Sequence, residues 1–86
     1  MKIVAYTTPG CFYCDQLKKL FDRADVQYET IIVQTDEERE KFRMECPRAA
    51  GYPYVLIDDN HVGGLVETAK LFLEKGLVTS NKNERS

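Results

Sequence analysis

A run of strand formers that breaks at a tight turn and restarts as a helix limits this chain more than any other feature. Lys2-Ile3-Val4-Ala5-Tyr6 reads as a strand, Thr7-Thr8-Pro9-Gly10 ends it, and Cys14, Leu17, Phe21 and Ala24 then recur at helical spacing. Asp22-Arg23-Ala24-Asp25 supplies a helix end, and Gln27 to Val33, with Tyr28, Thr30, Ile31, Ile32 and Val33, is again rich in strand formers. Strand, helix and strand at these lengths make a βαβ unit, which brings the strands together in parallel through a right-handed crossover.

Downstream the order changes. Thr35-Asp36-Glu37-Glu38 has the form of a capping box, with Thr35 as N-cap and Glu38 three residues on. The helix it opens is highly charged through Glu45 and is expected to be mostly solvated; Phe42, Cys46 and Met44 are its candidates for an apolar seam before Pro47 stops it. Tyr54 to Ile57 reads as a short buried strand, Asp58-Asp59-Asn60 as a turn, and His61-Val62 as the start of a return strand. Leu65, Val66, Ala69, Phe72 and Leu73 form a last apolar stripe at helical spacing, closed by Gly76. The sum is an α/β fold: a four-stranded mixed sheet, βαβ then ββα, flanked on both faces by three helices. Residues 1–76 are expected to form one domain and residues 77–86 a polar C-terminal tail, frayed from Thr79 onward. Tyr6, Phe21, Tyr28, Phe42 and Phe72 are assigned to the core or its margin.

Charge and composition narrow the function. Eighty-six residues, 43% of them hydrophobic, suit one modest core, and a net charge of −2 offers no basic surface for nucleic acid. The apolar start ends at Thr7-Thr8-Pro9-Gly10, too early for a secretory signal or a membrane segment, so the expected location is cytoplasmic. In that reducing compartment, three cysteines do not make a structural disulfide framework.

Cys11 and Cys14, three apart at the start of the first helix, are therefore the chemical feature to explain. Side chains at i and i+3 of a helix are neighbours, with Cα atoms about 5–6 Å apart, within the span of a disulfide. Cys11 falls at the helix N-terminus, where unpaired N–H groups and the helix dipole favour an anion, while Cys14 lies on the core-facing stripe. Cys11 is thus expected to be the attacking thiolate and Cys14 its shielded partner. A thiol of ordinary pKa is only about 3% ionised at neutral pH, but lowering that pKa also weakens the nucleophile. The larger gain is that such a thiolate leaves readily when a second thiol attacks. The pair suits exchange. A zinc site would need Cys46 and His61 as well, and these stand fifteen residues apart with neither in a knuckle, so no metal is expected.

The strand, Thr-Pro-Gly-Cys-x-Tyr-Cys, the helix, Tyr52-Pro53 and Ile57-Asp58-Asp59-Asn60-His61-Val62-Gly63-Gly64 together resemble a dithiol glutaredoxin of the thioredoxin fold, over residues 2 to 76. The resemblance implies a glutathione-dependent thiol-disulfide oxidoreductase with Cys11 as nucleophile and Cys14 as resolving cysteine. It further implies that Tyr13 lies beside the bound substrate, and that Pro53 is a cis proline preceded by a Tyr52 backbone that binds the cysteinyl part of glutathione. Gly64, with Leu65 and Val66 after it, resembles the seat of the γ-glutamyl carboxylate, which suits a helix N-terminus. Glu67 stands where the family usually carries an aspartate that receives the glutathione ammonium. Arg39, Lys41 and Arg48 are candidates for the glycyl carboxylate. The implied partners are glutathione, as electron donor, and disulfide-bearing proteins, ribonucleotide reductase being a common client of the family; no tightly bound cofactor is required, and a monomer is expected.

Three departures from the family pattern bear on this. Phe12 replaces the proline of the commonest CPYC form, Thr8 sits where many members have a lysine, and Gly51-Tyr52 replaces a usual Thr-Val. Without the lysine, charge support for Cys11 falls to the helix end and to Lys18 or Lys19. Tyr52 either narrows the groove or covers the sheet edge. These positions leave two alternatives open: a redoxin recharged by thioredoxin reductase, and a [2Fe–2S] cluster carrier ligated by Cys11 and glutathione from two subunits.

Overall fold

Along β1 (Ile3–Thr7) successive side chains enter different cores. Ile3 and Ala5 join Leu17, Phe21, Val55, Ile57 and Phe72 on one face of the sheet. Val4 and Tyr6 join Val33, Phe42, Cys46 and Tyr54 on the other. A strand buried on both faces lies inside a sheet, which is why it reads as an unbroken apolar run.

The computed structural model describes residues 1–78. The elements run β1, α1 (Phe12–Ala24), β2 (Glu29–Ile32), α2 (Asp36–Glu45), β3 (Tyr54–Ile57), β4 (Asn60–Gly63) and α3 (Leu65–Glu74). The sheet order is β2-β1-β3-β4, with β1 parallel to β2 and the β1–β3 and β3–β4 pairs antiparallel. The expected four-stranded mixed sheet is therefore present. Helices α1 and α3 share one face, where Phe21 meets Phe72 with ring centroids 5.8 Å apart, and α2 covers the other through Phe42.

Local chemistry sets the boundaries. Helix α1 ends at Asp25, which takes the left-handed conformation with φ 55° and closes the last turn through its N–H. Thr35 caps α2 as its sequence indicates, its hydroxyl accepting from the Glu38 N–H at 3.1 Å while the Glu38 carboxylate accepts from the Thr35 N–H at 2.9 Å. Asp58 and Asp59 both have positive φ, as a two-residue turn between β3 and β4 requires. Tyr6, Phe21, Phe42 and Phe72 are buried and Tyr28 is half-buried.

Some positions differ from the sequence reading. Met44 is exposed, leaving Phe42 and Cys46 as the seam of α2. In α3, Val66 and Leu73 point outward, and the fully buried positions are Phe72 and Thr68, the threonine hydroxyl donating to the Gly64 carbonyl at 2.8 Å. A threonine that satisfies its own hydroxyl one turn back can be buried at little cost. Leu77 and Val78, placed by sequence with the tail, pack against the core on the α1 and α3 face. The polar stretch 79–86 lies outside the described residues.

Candidate active site

Gly10, at φ 72°, turns the chain after β1 so that Cys11 arrives extended, as the N-cap of α1. Its sulfur does what an N-cap oxygen usually does, accepting the Cys14 N–H at 3.1 Å. That hydrogen bond and the aligned peptide dipoles of a 13-residue helix both stabilise negative charge on Cys11 Sγ. Cys11 is half-buried, so an incoming disulfide can reach it. Cys14 lies a turn further in and is buried. Its thiol is pushed up to about 11, first by burial, then by its hydrogen bond to the Cys11 sulfur and that sulfur's charge; the Thr8 backbone and Lys18 pull the other way. The two cysteines thus differ in access, as their positions on the helix require. Both line a cleft with Thr7, Thr8, Asp15, Lys18 and Gln34, which puts Lys18 rather than Lys19 at the site.

The Tyr52–Pro53 peptide bond is cis. The Tyr52 carbonyl oxygen faces Cys11, whose S–H can donate to it across 3.9 Å. Pro53 is buried at the mouth of β3. The Tyr52 ring packs against Phe42 at 4.9 Å between centroids, so this half-buried side chain joins the α2-side core while its carbonyl faces Cys11.

Beyond Pro53, a second cleft is lined by Arg48, Gly51, Tyr54, Gly63, Gly64 and Glu67. Gly64 is the N-cap of α3, and its N–H is engaged by Glu67 Oε1 at 3.0 Å. Gly63 has φ 124°, and a side chain there would strike Glu67 Cγ at 3.0 Å. Glu67 therefore folds back over the glycines and occupies the Gly64 N–H. Leu65 is half-buried and Val66 exposed in the same first turn. Tyr13 is 60% exposed beside Cys11.

Other candidates do not converge here. Of the three basic residues considered for a carboxylate, Arg48 lines the cleft with Glu67, whereas Arg39 pairs with Asp36 at 3.5 Å and Lys41 lines a separate cleft between α2 and β2. Cys46 is buried beneath α2, where its thiol is pushed up by burial, and His61 on β4 has its Nδ1 2.8 Å from the Tyr54 hydroxyl. Among the described residues no group of three or more histidine, cysteine or acidic side chains gathers as a metal site. Sequence reasoning missed the bond from the Tyr6 hydroxyl to Glu45 Oε2, 2.9 Å long, which ties β1 to the end of α2. No local pattern reveals a contact between residues 39 positions apart.

Residues 3–62 match the glutaredoxin family model. The chain belongs to the glutaredoxin family. Glutaredoxin 1 of Rickettsia typhi is 38% identical over 90 residues, which cover 98% of this chain and 86% of that protein. Among solved structures, glutaredoxin 1 from Francisella tularensis, complexed with cacodylate, aligns with a TM-score of 0.73 at 30% identity, covering 88% of this chain and 95% of that one. A buckwheat glutaredoxin–glutathione complex aligns with a TM-score of 0.74 at 26% identity, over 87% of this chain and 71% of that one. A glutaredoxin is a thiol-disulfide oxidoreductase, and the fold is the thioredoxin-like one of these neighbours. No helix among the described residues is long and apolar enough to cross a membrane.

Proposed function

We propose that this glutaredoxin draws its electrons from glutathione and reduces both glutathione mixed disulfides and protein disulfides, acting as a cytoplasmic monomer. The observation that carries this reading is the asymmetry at the start of α1: an accessible Cys11 sulfur receiving the Cys14 N–H at 3.1 Å above a buried Cys14 thiol. Cys11 thiolate attacks the glutathionyl sulfur of a mixed disulfide, forming a Cys11–glutathione disulfide and releasing the substrate thiolate, which takes up a proton. A second glutathione thiolate attacks the same glutathionyl sulfur, expelling Cys11 thiolate and forming oxidised glutathione. On a protein disulfide, Cys14 instead attacks Cys11 Sγ, the second substrate thiolate leaves, and two glutathiones reduce the resulting Cys11–Cys14 disulfide.

In this reading glutathione runs from Cys11 along the cleft toward α3. Tyr13 flanks it, the Tyr52 backbone before Pro53 pairs with its cysteinyl residue, and the first-turn N–H groups of Gly64, Leu65 and Val66 take the γ-glutamyl carboxylate. Glu67 receives the ammonium after giving up Gly64. Arg48, in the same cleft, supports the reading by offering a cation to a carboxylate.

The test is reduction of a glutathione mixed disulfide, with NADPH consumption followed through glutathione reductase. Cys11→Ser should fall to background, and Cys14→Ser should keep this activity while losing reduction of protein disulfides that need a resolving thiol. If wild type is inactive with glutathione yet active with a thioredoxin reductase, the electron donor has been misassigned.

A further inference from the structure

The helix turn that carries the nucleophile also displays two aromatic rings that the fold does not use. Phe12 is 67% exposed and Tyr13 is 60% exposed, and they touch each other edge to face, with centroids 5.6 Å apart. Phe12 belongs to neither hydrophobic core. A large apolar ring kept in water at the first position of a helix is a standing cost, since phenylalanine is also a poorer helix former than alanine. Phe12 neighbours the sulfur that must be approached by every substrate. What covers it is decided by the covalent step. While Cys11 is joined to a polypeptide cysteine, the residues flanking that cysteine are held within a few ångströms of the helix start.

We propose that Phe12 is a specificity-determining residue, which, with the Tyr13 ring at its edge, forms a docking surface for an apolar or aromatic residue next to the disulfide of a polypeptide substrate. The faces and edges of two rings meeting edge to face offer both stacked and perpendicular contacts to an incoming ring. Asp15 and Lys18 follow on the same helix and line the cleft beside Cys11, so the immediate surroundings carry charge of both signs and favour neither an acidic nor a basic peptide. The discrimination therefore rests on apolar contact. A small disulfide without flanking residues gains nothing from it.

The experiment uses the full chain, reduced with dithiothreitol and freed of it, so that the outcome does not depend on the natural electron donor. Single-turnover rates are measured with two peptide disulfides that differ only in the residue beside the cystine, phenylalanine in one and serine in the other. Wild type should react about five- to tenfold faster with the phenylalanine-flanked peptide at subsaturating concentration, the size expected of one aromatic contact. In Phe12→Ala that ratio should collapse toward one, and Phe12→Tyr should restore it. A change in fold or reduction potential would scale both rates together and leave the ratio unchanged. A ratio near one in wild type, or one that survives Phe12→Ala, overturns the inference. Inertness toward both peptides in wild type overturns the oxidoreductase assignment as well, whereas failure with glutathione alone does not touch it.

Discussion

In the proposed exchange, the burial of Cys14 sets the order in which the two thiols act. With Cys11 as a free sulfur, Cys14 ionises only near 11. Once Cys11 is tied up in a mixed disulfide its negative charge is gone, and of the main causes only burial still raises Cys14, while the Thr8 backbone and Lys18 still lower it. In the proposed role of resolving thiol, Cys14 therefore becomes easier to ionise once the mixed disulfide has formed. Closure of the Cys11–Cys14 disulfide on a preformed mixed disulfide should accelerate steadily as pH rises between about pH 7 and 9, because only the thiolate attacks. Lys18→Ala should slow closure at neutral pH. Stopped-flow release of a chromogenic thiol measures both, and a pH-independent rate across that range would refute the assignment of burial as the dominant cause. The different exposure of the two cysteines was legible because helix spacing alone sets one at the rim and one on the buried stripe. Glu67 was legible as a first-turn acid but not as a residue folded onto Gly64 N–H, since that depends on Gly63 adopting φ 124°.

Helix α2 carries one buried residue, Phe42, so its stability divides between that ring and its cap. Phe42 touches Tyr6 at 4.9 Å, Tyr52 at 4.9 Å and Tyr54 at 6.0 Å between centroids. Removing the ring in Phe42→Ala should cost about 3–5 kcal/mol. Thr35→Ala, which frees the Glu38 N–H in water, should cost about 1 kcal/mol. Urea unfolding would show the two, and equal losses would mean that the aromatic cluster is not what holds α2 down. Phe42→Ala should also slow exchange at Cys11, because the Tyr52 carbonyl facing that sulfur is fixed by the ring packed on Phe42. Caps, the stop before Pro47 and the hairpin turn could be read from sequence since each is a local rule obeyed locally. Strand β2 could be found but not placed: the strand formers from Gln27 to Val33 mark it, but nothing local says that Ile31 and Ile32 lie 41% and 49% exposed on the sheet edge. Which strand becomes an edge is fixed by β3 pairing with β1, a decision made more than twenty residues later.

Across the molecule, burial has been spent on acidic protons as well as on hydrocarbon. Cys14 under the active site and Cys46, Tyr6 and Tyr54 under α2 all ionise above their ordinary values, with burial as the largest cause in each. A folded-state pKa above the unfolded one means that the folded chain holds its proton more tightly. The stability this represents is fully present below the unfolded pKa and is lost as pH rises through the folded one. For the cysteines the decline begins near the ordinary thiol value of about 8.5, and for the tyrosines near about 10. Both layers of the fold therefore lose stability on the alkaline side, in two stages. Under reducing conditions the melting temperature should hold steady up to about pH 8 and then fall by about 5–10 °C by pH 10, a range set by the steep response of domains this small. Tyr6 reaches about 12 partly because its hydroxyl donates to Glu45. Tyr6→Phe should therefore start lower at neutral pH, having lost that bond, and then decline less steeply above about pH 10. Cys46→Ala should make the earlier stage shallower, leaving the share that belongs to Cys14, and should also ease the later one slightly by removing a charge that raises Tyr6 and Tyr54. Thermal melts of the three proteins across this pH range decide the matter: a melting temperature that stays level to pH 10 in wild type would mean that these groups ionise as easily folded as unfolded.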